Sequence, residues 1–283
     1  MKLLQLPEGL KIKALEIAEK EDVEAIWCEP CYGACDIPPQ NLWCDTIVHY
    51  GHTRFMDDSR NIKYVEAREQ INIVPILESH FNKIEQFDSI GIFSSLQFLD
   101  CIKQGQAFLD AHNKHTVIPQ CPGMYEGQVL GCRTEAVRSI EEHVDCFLYI
   151  GSGRFHALGV ALETEKPVFV LDVEKQVIES LHELKNKFMK QRAVAKTLAK
   201  HANVFGIIVS LKPGQNHMDS AINIMEQLRS RNKKAYILIM NEIKPEKIPP
   251  NIECLINTAC PRIAIEDRAL FKQPLLNVNE FEI

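Results

Sequence analysis

The chain has little of what nucleic-acid-binding and membrane proteins need. Its 283 residues hold 32 Lys and Arg against 38 Asp and Glu, which gives a net charge of −6. Without a basic excess, neither nucleic acid nor a membrane surface is expected as a partner. No apolar run approaches the ~18 residues that cross a bilayer, and residues 1–7 lack the apolar stretch and cleavage site of a secretory signal. We therefore expect a cytoplasmic protein.

Cysteine, in contrast, is abundant. The sequence contains ten cysteines, and in a protein that is not secreted most are expected to stay reduced as small core residues. Three lie in loops of small residues just past apolar runs: Cys35, Cys132 and Cys260. Spacings of 97 and 128 residues exclude a local metal-binding loop that holds all three. If the fold gathers them, three thiolates leave one position of a metal centre open. The alternative is that each thiol only fills core space.

Short apolar runs alternate with helix-compatible stretches along the whole chain, with helical periodicity at 10–18 and 218–225. This pattern is typical of parallel strands buried on both faces and joined by helices. We predict an α/β fold of three tandem small parallel-sheet, Rossmann-like domains around a central cluster site, at 1–86, 87–185 and 186–283. The predicted strands are 3–6, 24–28, 46–50, 71–76, 89–93, 115–118, 146–150, 168–171, 205–209, 235–239, 254–257 and 274–278.

The first loop also offers a compact alternative metal site. Cys28, Cys31 and Cys35 are spaced Cys-x2-Cys-x3-Cys, a run that could bind zinc or an iron–sulfur cluster. Its order is the reverse of the Cys-x3-Cys-x2-Cys loop of most radical S-adenosylmethionine enzymes, and no second Cys-x2-Cys follows. Cys28 ends an apolar run and is expected in the core. The distributed set is therefore favoured over the compact one.

Three more loops follow predicted strands and could hold ligands. Gly151-Ser152-Gly153 has two glycines but lacks the third glycine of a dinucleotide fingerprint. The turn at 210–215 precedes a helix whose N-terminus could hold a carboxylate. The pair His49 and His52 could be metal ligands or satisfied structural histidines.

Taken in order, these motifs resemble a known family. Tyr32-Gly33-Ala34-Cys35-Asp36, His49-Tyr50-Gly51-His52, Gly127-Gln128-Val129-Leu130-Gly131-Cys132, the 149–153 and 208–212 loops and Ala259-Cys260-Pro261-Arg262 are similar to the archaeal 2-(3-amino-3-carboxypropyl)histidine synthases of diphthamide biosynthesis. The resemblance implies that Cys35, Cys132 and Cys260 hold a [4Fe–4S] cluster, with S-adenosylmethionine as substrate on the open iron and no catalytic residue beyond the cluster.

The reaction that the resemblance implies is a radical transfer. The sulfur–Cγ bond of S-adenosylmethionine is cleaved reductively, and the 3-amino-3-carboxypropyl radical adds to a histidine of translation elongation factor 2. A homodimer and an electron donor are implied as well. We expect S-adenosylmethionine contacts from seven residues: Gln128, Gly151, Ser152, Gly153, Lys212, Gly214 and Gln215. Members of the family usually carry a helical segment before the first strand, whereas this sequence opens on that strand, so the printed sequence could omit residues or this member could be trimmed.

Other functions account for fewer of these features. A quinolinate-synthase-like enzyme would also draw one cysteine ligand from each of three α/β domains and use the open iron as a Lewis acid, without radicals. A redox-sensing or zinc-structural protein explains the number of cysteines but not the three separated, glycine-flanked ones. A generic nucleotide-binding α/β protein explains the alternation of strands and helices but leaves the cysteines without a role.

Overall fold

The computed structural model describes residues 1–39 and 42–281, which divide into two compact units. Residues 1–65 and 189–283 belong to the first unit, and residues 66–188 to the second. The first unit contains two four-stranded sheets and the second unit one five-stranded sheet. The predicted α/β class is confirmed. The three domain boundaries stay a prediction.

The N-terminal sheet is parallel throughout, in the order β2-β1-β3-β4. Helix α1 packs on it through Ile17 and Ala18, which join Leu4 and Val48 in one apolar cluster. The helix stops at Asp22, which takes the left-handed conformation that ends many helices. The elements are β1 (Lys2–Gln5), a 3-10 turn (Glu8–Lys13), α1 (Ala14–Glu21), β2 (Ala25–Trp27), β3 (Thr46–Tyr50) and β4 (Asn61–Val65).

The sheet of the second unit has the order β6-β5-β7-β8-β9, parallel except for the antiparallel edge strand β9. Its central strand β7 is buried along its whole length, as its apolar sequence predicts. The elements are α2 (Val74–His80), β5 (Ser89–Ser94), α3 (Cys101–Ala111), β6 (His115–Val117), α4 (Glu135–Arg138), β7 (Cys146–Gly151), α5 (Phe155–Glu163), β8 (Val168–Asp172) and β9 (Val177–Ser180).

The C-terminal sheet is again parallel, in the order β11-β10-β12-β13. Apolar side chains of β10, among them Ile207 and Val209, form a core with α7 residues such as Ile224. The elements are α6 (His182–His201), β10 (Val204–Ser210), α7 (Met218–Ser230), β11 (Lys234–Met240), β12 (Cys254–Asn257), α8 (Arg262–Ile265) and β13 (Leu275–Asn277).

All three sheets therefore share one topology. In each, the first strand lies between the second and the third, and the fourth strand follows the third. This order creates a switch point between first and third strands, and parallel α/β proteins bind ligands at the carboxyl ends beside such a point. The predicted threefold repeat is confirmed by this shared order.

One predicted strand is wrong, and two strands were not predicted. The run Ile71–Ile76 is not a strand: helix α2 begins at Val74, and Pro75 occupies its first turn, where proline fits because no amide donor is needed there. The fourth strand of the first sheet is instead Asn61–Val65. The edge strand Val177–Ser180 was not predicted either. Within the described residues, no helix combines the length and the apolarity needed to cross a bilayer.

Candidate metal centre

Cys35 lies in the loop that leaves the carboxyl end of β2. The loop tightens into a turn in which the Asp36 amide donates to the Gly33 carbonyl at 2.9 Å. Gln215 donates from Nε2 to the Cys35 Sγ at 3.3 Å, and the Gly214 amide donates to the Cys35 carbonyl at 3.1 Å. Burial raises the pKa of the Cys35 thiol, and the Gln215 hydrogen bond opposes this shift. The sulfur is thus half-buried and met by a donor, as a ligand thiolate needs.

The turn after β10 packs directly on the Cys35 loop because Gly214 has no side chain. A Cβ at Gly214 would come within 2.5 Å of the Cys35 Cβ and 2.7 Å of its Cα. The sequence had singled out this turn as a substrate loop. The structure places it against a predicted cluster ligand, an adjacency that residues about 180 positions apart do not reveal in the sequence.

A buried ion pair joins the same two loops. The Lys212 ammonium contacts the Asp36 carboxylate, and both side chains are at least nine-tenths buried. The ammonium also lies 4.7 Å from the centroid of the Tyr32 ring, a cation–π distance. The Asp36 carboxylate accepts a further hydrogen bond from the Tyr32 amide at 3.1 Å. Asp36 and Tyr32 had not been predicted as site residues, although both flank Cys35 in the motif.

Cys260 lies at the carboxyl end of β12 in the same unit. Asn257 fixes its loop: the side-chain amide donates to the Cys260 carbonyl at 2.9 Å, and the side-chain oxygen accepts from the Ala259 amide at 3.1 Å. Cys260 lines a cavity of about 280 Å³ together with Gln215, Lys212 and Tyr32. Gln215 therefore contacts the Cys35 sulfur and also faces the cavity that Cys260 lines. The structure brings the Cys35 and Cys260 loops to one side of the first unit, as their position after parallel strands predicts.

Cys132 lies in the second unit, in the loop after β6, and its side chain is exposed. Two backbone hydrogen bonds join this loop to the end of β5. The Ser94 amide donates to the Gly127 carbonyl at 2.8 Å, and the Val129 amide donates to the Ser94 carbonyl at 2.9 Å. The loop then presses on α5, since a Cβ at Gly159 would lie 2.5 Å from the Gly131 carbonyl oxygen. Rigid packing beside the cysteine, with the thiol itself open to solvent, fits a ligand better than a core residue.

The other predicted contacts of the second unit are also at carboxyl ends. Gln128 is buried, and its side-chain oxygen accepts from the Tyr125 amide at 3.1 Å. Gly151 ends β7, Ser152 follows it, and Gly153 has a φ of 69°, which favours glycine. These residues lie at the switch point of their sheet. Their contact with S-adenosylmethionine stays a prediction.

The compact cysteine run has three different environments. Cys28 is exposed, so its expected place in the core was wrong: β2 ends at Trp27, and the chain leaves the sheet there. Cys31 is buried, and burial raises the pKa of its thiol to about 12. Its sulfur groups with His49 and His52 as possible metal donors, a set that the sequence did not combine.

The thiols fit an iron–sulfur cluster as donors. Cys35 and Cys260 are half-buried and Cys132 is exposed, each in a loop that follows a parallel strand and flanked by Gly, Ala or Pro. The close approach at Gly214 leaves the sulfur of Cys35 beside a polar donor rather than enclosed in apolar side chains. Cluster sulfurs and thiolates take such hydrogen bonds.

Parallel α/β sheets with thiols on their carboxyl-end loops define an α/β protein built to hold a metal centre. The chain belongs to the family described as "Putative diphthamide synthesis protein", which matches residues 6–283. The predicted resemblance is confirmed.

Individual relatives support the same family along the whole chain. A 2-(3-amino-3-carboxypropyl)histidine synthase of Pyrococcus horikoshii is 29% identical, with 99% of this chain and 84% of that protein covered. Subunit 1 of the human synthase is 27% identical, with 98% and 66% covered. A crystal structure of Dph2 from Pyrococcus horikoshii with a 4Fe–4S cluster has a TM-score of 0.88 at 27% identity and covers 99% of this chain and 84% of that one.

Proposed function

We propose that this protein is a 2-(3-amino-3-carboxypropyl)histidine synthase, which transfers the 3-amino-3-carboxypropyl group of S-adenosylmethionine to a histidine of translation elongation factor 2. Cys35, Cys132 and Cys260 would hold a [4Fe–4S] cluster. The observation that supports the proposal most strongly is the position of Gln215, which donates a hydrogen bond to the Cys35 sulfur and lines the same cavity as Cys260. Membership of the diphthamide synthesis family supplies the reaction.

When bound, the cluster supplies the electron that cleaves the sulfur–Cγ bond. The residues of the chain hold and orient the reactants, as proteins do for cofactor chemistry. Gln215 donates to the Cys35 sulfur and stabilises its thiolate form. Lys212, paired with Asp36, lines the cavity beside the same loop, where a remaining N–H of its ammonium would donate to a substrate carboxylate.

The remaining predicted contacts extend this site. Gln128, Gly151, Ser152 and Gly153 would contact the nucleoside end of S-adenosylmethionine, and Lys212, Gly214 and Gln215 its amino-acid end. Glycines at strand ends allow close approach of a ligand to the backbone. The enzyme would act in the cytoplasm as a homodimer and take electrons from a separate donor, in keeping with the archaeal members that its motifs resemble.

The test is product analysis under anaerobic conditions. Reconstituted protein is expected to bind about four irons per chain and, with dithionite and S-adenosylmethionine, to release methylthioadenosine. Release of 5′-deoxyadenosine would show that the other carbon–sulfur bond is cleaved and would refute the proposed bond cleavage. Transfer to elongation factor 2 is then measured as a mass increase that is absent when its acceptor histidine is replaced.

A further inference from the structure

One thiol from the loop that carries Cys35 and two imidazoles from β3 and the residues after it form a second group of possible metal donors. Cys31 follows β2, His49 lies on β3, and His52 follows that strand. One donor atom from each lies within 4.8 Å of the other two. Cys31 and His49 are buried and His52 is half-buried. The loops after β2 and β3 leave the same edge of one parallel sheet, in which β1 lies between these two strands, so the fold brings the three residues together.

Hydrogen bonds fix the tautomer of His49. Gln5 donates from Nε2 to the Asp36 carbonyl at 2.6 Å, which leaves its side-chain oxygen to accept. His49 Nδ1 lies 2.7 Å from that oxygen and therefore donates to it. In a neutral imidazole the other nitrogen, Nε2, then carries a lone pair. Histidines that ligate metals usually donate their other ring N–H to a polar group in this way, which holds the ring in position.

His49 Nε2 therefore accepts a hydrogen bond from His52 Nδ1–H at 3.0 Å. A metal between the two rings would replace this hydrogen bond, with the His52 proton moving to its Nε2. Burial lowers the pKa of His49 to about 3 and that of His52 to about 4, so both rings are neutral at physiological pH. The Cys31 thiol donates long hydrogen bonds of 3.8 and 3.9 Å to the carbonyls of Gly33 and Asp36. Three soft or borderline donors thus face one another.

We propose that Cys31, His49 and His52 form a second metal site that binds Zn²⁺ through one sulfur and two nitrogens, with the fourth position taken by water on the half-buried side of His52. Two imidazoles and one thiolate are a donor set that zinc accepts in tetrahedral geometry. Binding converts the Cys31 thiol to a thiolate and releases one proton. The site uses none of the three proposed cluster ligands.

A metal at this site would also affect the turn that carries Cys35. Asp36 lies next to Cys35, accepts from Gln5 through its carbonyl, and pairs with Lys212 through its carboxylate. Zinc at Cys31 would tie this turn to strand β3 through His49. The metal would therefore fix the segment that carries the proposed cluster ligand.

The test measures zinc and cobalt binding in matched variants. The full chain with its iron–sulfur cluster is expected to retain one zinc per chain after gel filtration, measured by mass spectrometry of metals. Cys31→Ser and His52→Ala are expected to lose it, whereas Cys28→Ser, which alters an exposed thiol of the same loop, keeps it. Gln5→Met, which removes the orienting acceptor, should weaken affinity by about 10–100-fold in chelator competition.

Cobalt separates this site from the cluster cysteines. The triple variant Cys35→Ala, Cys132→Ala, Cys260→Ala is expected to bind one Co²⁺ with tetrahedral ligand-field bands and thiolate-to-cobalt charge transfer, and added Cys31→Ser should abolish the charge transfer. Equal cobalt and zinc binding with and without Cys31→Ser, or loss on Cys28→Ser, would overturn the inference. If the triple variant does not fold, the zinc content of His52→Ala in the cluster-loaded chain decides the question, and unchanged zinc there also refutes the site.

Discussion

Gly214 lies so close to Cys35 that no side chain fits between them. In Gly214→Ala the new Cβ would meet three Cys35 atoms, two of them backbone, at 2.5 to 2.8 Å. Backbone cannot rotate away, so the two loops must separate, at a cost of about 1–3 kcal/mol in unfolding free energy. Urea denaturation measures this cost, and iron content after reconstitution should fall in parallel. Gly9→Ala is the control because its Cβ would meet nothing within 4 Å; equal stability of the two variants would contradict the prediction.

The buried ion pair of Lys212 and Asp36 also contributes to stability at the scale of single residues. Its side chains are 8% and 7% exposed, so removal of one partner leaves an uncompensated buried charge. Lys212→Met is expected to lower the unfolding free energy by about 3–5 kcal/mol, measured by urea denaturation. Lys212→Met combined with Asp36→Leu should recover part of this loss. Lys2→Met, which breaks an exposed pair with Asp22, should change little, and a similar loss there would refute the role of burial.

At the scale of elements, all the central strands were predictable, whereas two edge strands, Asn61–Val65 and Val177–Ser180, were missed. Runs such as Cys146–Ile150 are apolar throughout because both faces of a central parallel strand are covered. In Asn61–Val65 polar and charged residues alternate with apolar ones, because this strand lies at the edge of its sheet. Asn and Lys are uncommon in strands, so the sequence of this segment does not indicate one. Ile71–Ile76 has the composition of a buried strand, yet it enters helix α2, since short apolar runs do not distinguish helix from strand.

The start of β4 anchors the segment that follows Cys35. Arg60 pairs with Asp58 through two hydrogen bonds of 2.9 and 2.7 Å and also donates to the Pro38 and Pro39 carbonyls. The Arg60 hydrogen bond lowers the pKa of Asp58 below 3.8. A lowered carboxyl pKa gives stability that is complete above the unfolded value and is lost as the pH falls through the folded value.

Asp58→Asn is therefore expected to lose this contribution and its pH dependence. The difference in unfolding free energy between wild type and variant should be constant above pH ~5 and shrink as the pH falls below 3.8. Urea denaturation of the cluster-free protein over that range measures it. Asp57→Asn, whose carboxylate is 98% exposed, is the matched control. A difference that stays constant to the lowest pH would contradict the assignment.

At the scale of the whole molecule, the repeat and the cysteine positions were predictable because both depend on parallel-sheet topology. Loops after strands collect at one edge of a sheet, whatever their separation in sequence. The partners of the thiols were not predictable: Gln215 reaches Cys35, and the pair His49 and His52 groups with Cys31, through tertiary packing. No local pattern encodes a contact between residues of different segments, so the polar surroundings of these cysteines needed the structure.

The proposed ligation of the cluster by cysteines of all three sheets predicts that the cluster stabilises the entire chain. A group that binds only the folded state raises the midpoint of thermal unfolding, and each kcal/mol is worth about 2–4 °C in chains of this size class. Anaerobic removal of iron by a chelator should lower the midpoint of thermal unfolding by several degrees, as measured by calorimetry.

Cys35→Ala, Cys132→Ala and Cys260→Ala should each have the unfolding midpoint of the iron-free protein whether or not iron is supplied, whereas the midpoint of Cys28→Ala should rise with iron as in wild type. If Cys132→Ala alone kept the iron-dependent increase, the second unit would supply no ligand, and the proposed three-cysteine site would have to be replaced by one confined to the first unit.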